Sequence, residues 1–165
     1  MRAYAANTLL QEMRPARPGS DVTDCLDDAL ATKLVGMLRF RRDHFAAAAH
    51  DPKRAAAFLA HSVRQQRHAD AIARRMVELG AEPTFSPAAF PARSHVPFIE
   101  DANGLAEMAQ EGHDALRATM SALVALARRV GAADAMTRKL LLDVVAEDQA
   151  SAEDLAALAL ALKRR

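Results

Sequence analysis

The sequence predicts an all-α fold, a bundle of four long helices with one long crossover between the second and third. Of its 165 residues 51% are apolar, yet only 4% are aromatic and none is Trp. The commonest residues, alanine, leucine, arginine and the acidic side chains, are good or acceptable helix formers. Apolar residues recur at steps of three and four along four segments, as on the buried faces of helices.

The N-terminal segment 1–20 is predicted to be a flexible tail, and residues 21–165 to form the bundle domain. Pro15, Pro18 and Gly19 fall near the end of the tail, where they favour a turn rather than a helix. The first helix is predicted to begin near Thr23-Asp24, because these residue types cap helix N-termini. It is expected to run to about residue 48.

Proline and glycine bound the other helices. The second is predicted at about 53–79, closed by Gly80, the third at about 102–130 and the fourth at about 134–163. Residues 81–101 hold four prolines and no sustained periodicity. A connection of that size can run back along a helix roughly 40 Å long, so the second and third helices are expected to lie parallel.

Composition argues against several classes of function. With 22 basic and 21 acidic residues the net charge is +1, so strong attraction of the whole molecule to nucleic acid is not expected. The single Cys25 excludes an internal disulfide and suits a reducing compartment. No apolar run reaches the ~18 residues of a membrane span, and no signal-peptide pattern is evident. The sequence therefore predicts a cytoplasmic protein that does not enter membranes.

Polar residues interrupt the apolar faces near the helix centres. Lys33 does so in the first helix, Gln65 in the second, and Asp148 with Ser151 in the fourth, while His68 shares a side with Gln65. Mid-helix positions of an antiparallel bundle meet at one height, so one buried polar layer is predicted. The alternative is that a face is misassigned by one position and some of these side chains reach solvent, as the long stem of Lys33 would allow.

Several segments resemble the bacterioferritin and Dps group of the ferritin-like superfamily, over roughly residues 24–162. They are residues 29–35, 65–70, 79–83, 93–95 and 148–155. The resemblance implies a ferritin-like four-helix bundle. Members of that family bind two irons through a Glu on each of helices one and three and a Glu-x-x-His motif on each of helices two and four. In bacterioferritin a haem is held by a Met that follows the second-helix Glu.

Carried onto this chain, the resemblance implies a degenerate di-iron site. The family's six ligand positions fall on Lys33, Gln65, His68, Leu116, Asp148 and Ser151, and its haem position falls on Gln66. Only His68 keeps the family residue, so neither iron nor haem is expected as a cofactor. Four carboxylates in a dry core need metal charge to balance them. Here Lys33 and Asp148 sum to zero, and Lys33 is predicted to hydrogen-bond to Asp148 while Gln65, Ser151 and His68 satisfy the other polar groups.

Three functions are open at this point. The first is a ferritin-like protein without ferroxidase activity, acting as a structural or non-catalytic subunit in iron or stress physiology. The second is a ferroxidase or iron store with a relocated metal site, for which His68, Asp148 and His61 are the weak candidates, His61 and His68 as a surface pair. The third is Dps-like DNA protection through the tail, although the few scattered arginines there make DNA binding unlikely.

The resemblance also implies self-association. The chain ends just after the fourth helix, without the short fifth helix of bacterioferritin 24-mers. A dimer or a dodecamer is therefore expected, or a mixed shell with a catalytic paralogue.

Overall fold

Four long helices make up most of the chain in the computed structural model, which describes residues 22–101 and 103–163. They are α1 (Val22–Ala48), α2 (Pro52–Glu78), α3 (Leu105–Val130) and α4 (Ala135–Lys163). No strand occurs in these two ranges. The predicted all-α class is confirmed, whereas the predicted tail, residues 1–20, lies outside the described residues.

The boundaries of α2 follow from its terminal residues. Pro52 occupies the first turn, where the missing backbone N–H breaks no intrahelical hydrogen bond. The Oδ1 atom of Asp51 accepts a hydrogen bond of 3.0 Å from the backbone N–H of Arg54. At the other end Gly80 has a φ of +80°, a conformation that favours glycine and ends the helix.

The third helix begins later than predicted, at Leu105 rather than near residue 102. Gly104 precedes it with a φ of +112°, outside the range of a right-handed helix. The helix therefore starts directly after this glycine, whose backbone conformation the apolar periodicity does not predict.

Asp134 caps the start of α4 and ties it to α2. Its Oδ1 accepts from the backbone N–H of Thr137 at 2.9 Å, and Arg75 Nη2 donates to both carboxylate oxygens at 3.0 and 2.9 Å. Hydrogen bonds from Thr137, aided by Arg75, lower the pKa of Asp134 to about 2. The carboxylate is thus ionised at neutral pH and satisfies a backbone donor at the helix start.

Replacing Asp134 with alanine is expected to lower the free energy of unfolding by about 1 kcal/mol at pH 7. Asp134→Asn keeps the capping oxygen and is expected to lose less, which urea unfolding of the three proteins would measure. Because the folded pKa is lowered, this stabilisation is complete above about pH 4 and fades as the pH falls towards 2. An unchanged alanine variant at pH 7 would show that the cap is unimportant.

The core consists of two apolar clusters at opposite ends of the bundle. One joins the first halves of α1 and α4 to the second halves of α2 and α3, through Leu26, Leu30, Ile72, Met76, Leu123, Leu126, Leu141 and Val144. The other joins the opposite halves, through Phe40, Phe58, Met108, Ala109, Leu116 and Leu155. α2 and α3 therefore run in the same direction, and the expected parallel arrangement across a long crossover is confirmed.

The crossover packs along α1. It contains two short helical segments, Pro87–Ala89 and Phe90–Arg93. Arg93 Nη1 lies 2.9 Å from Asp27 Oδ2, and the backbone N–H of His95 donates to Thr32 Oγ1 at 2.9 Å. These contacts bury one side of α1 beneath the crossover, in addition to the side that faces the other helices.

Candidate functional site

A lysine and an aspartate form an ion pair at the bundle centre, between the two apolar clusters. Lys33 of α1 donates from Nζ to Oδ2 of Asp148 of α4, and both side chains are 0% exposed. Each residue lies near the middle of its helix. Because the helices have nearly equal lengths, the two side chains meet across the bundle at one height.

Gln65 of α2 provides the second hydrogen bond to the Asp148 carboxylate. Its Nε2 donates to Asp148 Oδ1 at 2.8 Å, so both carboxylate oxygens accept a hydrogen bond within the core. The Gln65 side chain packs over Gly36, where an added Cβ would lie only 3.2 Å from Oε1. A side chain at position 36 would push the Gln65 amide by a few tenths of an ångström, so the glycine leaves room for the glutamine to reach the aspartate.

His68 lies one turn after Gln65 and reaches the edge of the same layer. Its Nε2 is 3.0 Å from Glu147 Oε2, while its Nδ1 is 3.4 Å from Asp148 Oδ1. Hydrogen bonding by His68, with the charge of Arg67, lowers the pKa of Glu147. Since an ionised carboxylate only accepts, Nε2 carries the hydrogen of that bond. Sequence reasoning missed Glu147, although its position next to Asp148 was available as a signal.

The charges of the pair balance each other. Burial lowers the pKa of the Lys33 ammonium, and Asp148 opposes that effect. Burial alone would raise the pKa of Asp148, but the charge of Lys33, with hydrogen bonds from Lys33 and Gln65, lowers it overall. A buried charge needs such a partner. When both groups are ionised, the centre holds one positive and one negative charge, and Lys33 and Gln65 each donate to one oxygen of the carboxylate.

Two predicted members of the layer lie apart from the pair. Ser151 Oγ donates to the carbonyl of Glu147 at 3.0 Å and accepts from Arg64 Nη1 at 2.5 Å, so the expectation that it satisfies Lys33 or Asp148 is wrong. Its rotamer directs the hydroxyl along its own helix instead. Leu116 belongs to the apolar cluster at one end of the bundle. Gln66, at the implied haem position, is exposed on α2.

His61 does not form the suggested surface pair with His68, because both side chains are buried, with 6% and 3% exposure. The His61 ring packs on Phe40 with centroids 5.3 Å apart. Among the described residues its Nδ1 has no hydrogen-bond partner. Burial, with the nearby charge of Arg64, lowers the pKa of His61 to about 4, which keeps the ring neutral in the folded protein at pH 7.

Protonation of His61 is expected to destabilise the protein in acid. Between its unfolded pKa of 6.5 and about 4 the unfolded chain binds a proton that the folded chain excludes, so stability falls as the pH falls through this window. From pH 7 to pH 4 the parent should lose about 3 kcal/mol more than His61→Gln. Guanidinium unfolding at both pH values measures this loss. The exposed His50→Gln is the control, and an equal pH dependence for the parent and His61→Gln would contradict the prediction.

A second buried charge cluster escaped the sequence analysis. Arg39 donates from Nη2 to the backbone carbonyl of Glu111 at 3.2 Å, and Arg42 Nη2 lies 2.5 Å from Asp43 Oδ1 and 3.8 Å from Glu111 Oε2. Arg42 also donates to the carbonyl of Ile99 in the crossover. Arg39 and Asp43 are four residues apart with opposite charges, a spacing that also occurs on exposed helix faces. The sequence pattern therefore does not indicate that Arg39 and Asp43 are buried.

The donor set does not suit a di-iron centre. The central carboxylate is taken up by Lys33 and Gln65, and an ammonium offers no lone pair and repels a cation. Across residues 22–101 and 103–163 no group of three or more His, Cys, Asp or Glu side chains is arranged to hold a metal ion. The exposed Gln66 presents an amide, which is not among the usual axial ligands of haem iron.

Comparison with known proteins places the fold. The ferritin-like domain family matches residues 44–164. A solved structure, the dodecameric thioferritin described as the bacterioferritin-related protein of Bacteroides fragilis, is similar with a TM-score of 0.81 at 17% identity, over 99% of this chain and 96% of that one. No curated protein matches significantly. In the described part of the chain no helix is long and apolar enough to cross a membrane.

Proposed function

This chain belongs to the ferritin-like domain family, and we propose that it is a ferritin-like subunit without ferroxidase activity. Its role would be structural or non-catalytic, within iron or stress physiology. The observation that carries the proposal is the buried Lys33–Asp148 pair at the centre of the bundle. In the bacterioferritin-type proteins that this sequence resembles, two irons bind at the corresponding place.

The pair supports the proposal by charge and by geometry. In the degenerate-site interpretation Lys33 supplies positive charge where the family uses metal, and Asp148 keeps one carboxylate to balance it. Gln65 replaces a second carboxylate by a neutral donor to the first. Leu116 replaces another by hydrocarbon that packs with the apolar cluster. A layer of zero net charge needs no cation to be stable.

Self-association is the second part of the proposal. The α1–α2 hairpin exposes large apolar side chains, with 42% exposure at Leu38, 67% at Phe45, 53% at Val63 and 63% at Val77. Burying such side chains against another subunit would remove apolar surface from water. Since the thioferritin is a dodecamer, we propose a homo-oligomer, either a dimer or a dodecamer. The alternative is a mixed shell that also contains a catalytic paralogue. Light scattering after size-exclusion chromatography distinguishes the dimer from the dodecamer by mass.

The single Cys25 supports a cytoplasmic location. Its side chain is buried, and Arg129 Nη1 lies 3.2 Å from its sulfur. A chain with one buried thiol needs no oxidising compartment to reach its fold.

Anaerobic Fe(II) titration followed by oxygen tests the catalytic part of the proposal. The chain is expected to oxidise Fe(II) no faster than a protein-free blank, without saturation at a fixed ratio of iron to protein. Ferric absorbance after mixing with oxygen is the measurement. Saturable oxidation at two irons per chain would overturn the proposal, and would favour the alternative of a ferroxidase with an altered site around His68 and Asp148.

A further inference from the structure

The crossover inserts a short non-helical segment between α1 and α3. This segment, residues 94–99, is here called the strap. Its Val96 is buried, at 3% exposure, against Val35 of α1 and against Ala115 and Ala118 of α3. These four residues form an apolar cluster of their own, separate from the two clusters of the four-helix core. The strap therefore fills a groove between α1 and α3 with one apolar side chain.

Polar contacts fasten the strap to α1 at two points. Thr32 Oγ1 donates to the backbone carbonyl of Asp28 at 2.8 Å and accepts from the backbone N–H of His95 at 2.9 Å. His95 Nδ1 lies 2.8 Å from the same oxygen, and it is the donor because the hydroxyl hydrogen is directed at Asp28. Arg42 donates to the backbone carbonyl of Ile99. Both points are side chains of α1, so the strap can separate from them while the helices keep their own hydrogen bonds.

The strap satisfies the backbone of its buried residue internally. Ser94 Oγ donates to the carbonyl of Val96 at 2.5 Å and accepts from the N–H of Val96 at 3.2 Å. These bonds persist if the strap moves as a unit. Its displacement therefore leaves neither backbone group of Val96 without a partner, which lowers the cost of a local opening.

A small cavity lies between the strap and the central polar layer, with room for about one water-sized group. Its wall includes Val96 on the side of the crossover and Gln65 and Leu116 on the side of the bundle centre. Gln65 in turn donates to Asp148 Oδ1 at 2.8 Å. Moving Val96 out of the groove would join this cavity to solvent and bring the side chain of Gln65 within reach of small solutes.

We propose that the strap opens away from the groove while the four helices stay folded, and that it thereby admits small solutes to the central polar layer. Opening costs one buried valine and the contacts of Thr32 and Arg42, whereas unfolding exposes both core clusters. The open form is therefore far more populated than the unfolded chain. This route of access is independent of the non-catalytic function proposed above, because it does not depend on whether the centre binds iron.

Cysteine alkylation of the full chain tests the strap. In a Cys25→Ala background, Ala115→Cys places a thiol beneath Val96, and Ala109→Cys places a matched thiol on the same helix in the four-helix core. Iodoacetamide reacts slowly, so each rate measures the population of the open form. The Ala115→Cys rate should be higher by about tenfold or more and nearly independent of low urea concentrations, whereas the Ala109→Cys rate should rise steeply with urea.

Two further substitutions separate opening from unfolding. Thr32→Val removes the oxygen that holds His95 and should raise the alkylation of both thiols about tenfold. Asp134→Ala weakens a cap of α4 that stays folded when the strap opens, so it should raise only the Ala109→Cys rate. An Ala115→Cys rate that does not respond to Thr32→Val, or that follows the Ala109→Cys rate in urea, would overturn the proposal.

Amide hydrogen exchange of the unmodified chain gives an equivalent test if a cysteine variant does not fold. The backbone N–H of His95, which is bonded to Thr32, should exchange with little dependence on urea. The backbone N–H of the buried Ile72 in α2 should show the steep urea dependence of global unfolding. Equal urea dependence of the two amides would show that the strap opens only when the bundle unfolds.

Discussion

Replacing Asp148 with asparagine is expected to lower the free energy of unfolding by about 3–5 kcal/mol, because the Lys33 ammonium would remain buried without its counter-charge. Lys33→Met removes the other partner at similar side-chain volume and should lower the free energy of unfolding by a similar amount. Urea unfolding at pH 7 measures both. These are among the largest losses expected for single substitutions in this chain.

The double variant Lys33→Met/Asp148→Asn should be less destabilised than either single variant, since no uncompensated charge remains in it. The Lys139–Asp143 pair is the control, because its side chains are 75% and 58% exposed. A cycle on that pair, Lys139→Met with Asp143→Asn, should give a coupling of only about 0.3–0.5 kcal/mol. Simple additivity at Lys33 and Asp148 would show that the two side chains do not interact.

Restoring the family's ligands should create a metal-dependent protein. The variant carries Lys33→Glu, Gln65→Glu, Leu116→Glu, Asp148→Glu and Ser151→His. Four carboxylates would then share a dry core, so the metal-free protein should be strongly destabilised. Metal that binds only the folded state stabilises it by about 2.7 kcal/mol at one hundred times the Kd. A rise in Tm of several degrees with added Co(II), at two metals per chain, is the expected result.

The same variant with Lys33 retained is the matched control, because the ammonium should keep metal out of the restored site. Equal Tm shifts in the two variants, or no shift in either, would contradict the role given to Lys33. Where the metal-free variant does not fold, refolding with and without Co(II) gives the same comparison.

The helices and the central pair were accessible to sequence reasoning for a physical reason. Steps of three and four place residues on one helix face, and equal helix lengths bring mid-helix residues to one height. Lys33, Gln65 and Asp148 interrupt apolar faces at that height, and the structure brings them into hydrogen-bond contact.

The remaining features depend on side-chain rotamers and on neighbouring elements. The Ser151 hydroxyl turns to its own helix and to Arg64, and His68 turns to Glu147, which no spacing rule predicts. The burial of Arg39 and Glu111 results from packing between α1 and α3, with the crossover close by. Charged residues outside the apolar face of a helix are predicted to face solvent, because the sequence does not show which loop will cover them.

The most direct test of the charge-balanced centre is anomalous diffraction at the iron edge from crystals grown with Fe(II). We expect Lys33 Nζ on the Asp148 carboxylate and no anomalous peak between the four helices. Two peaks at the bundle centre, with the lysine displaced from the aspartate, would contradict the account.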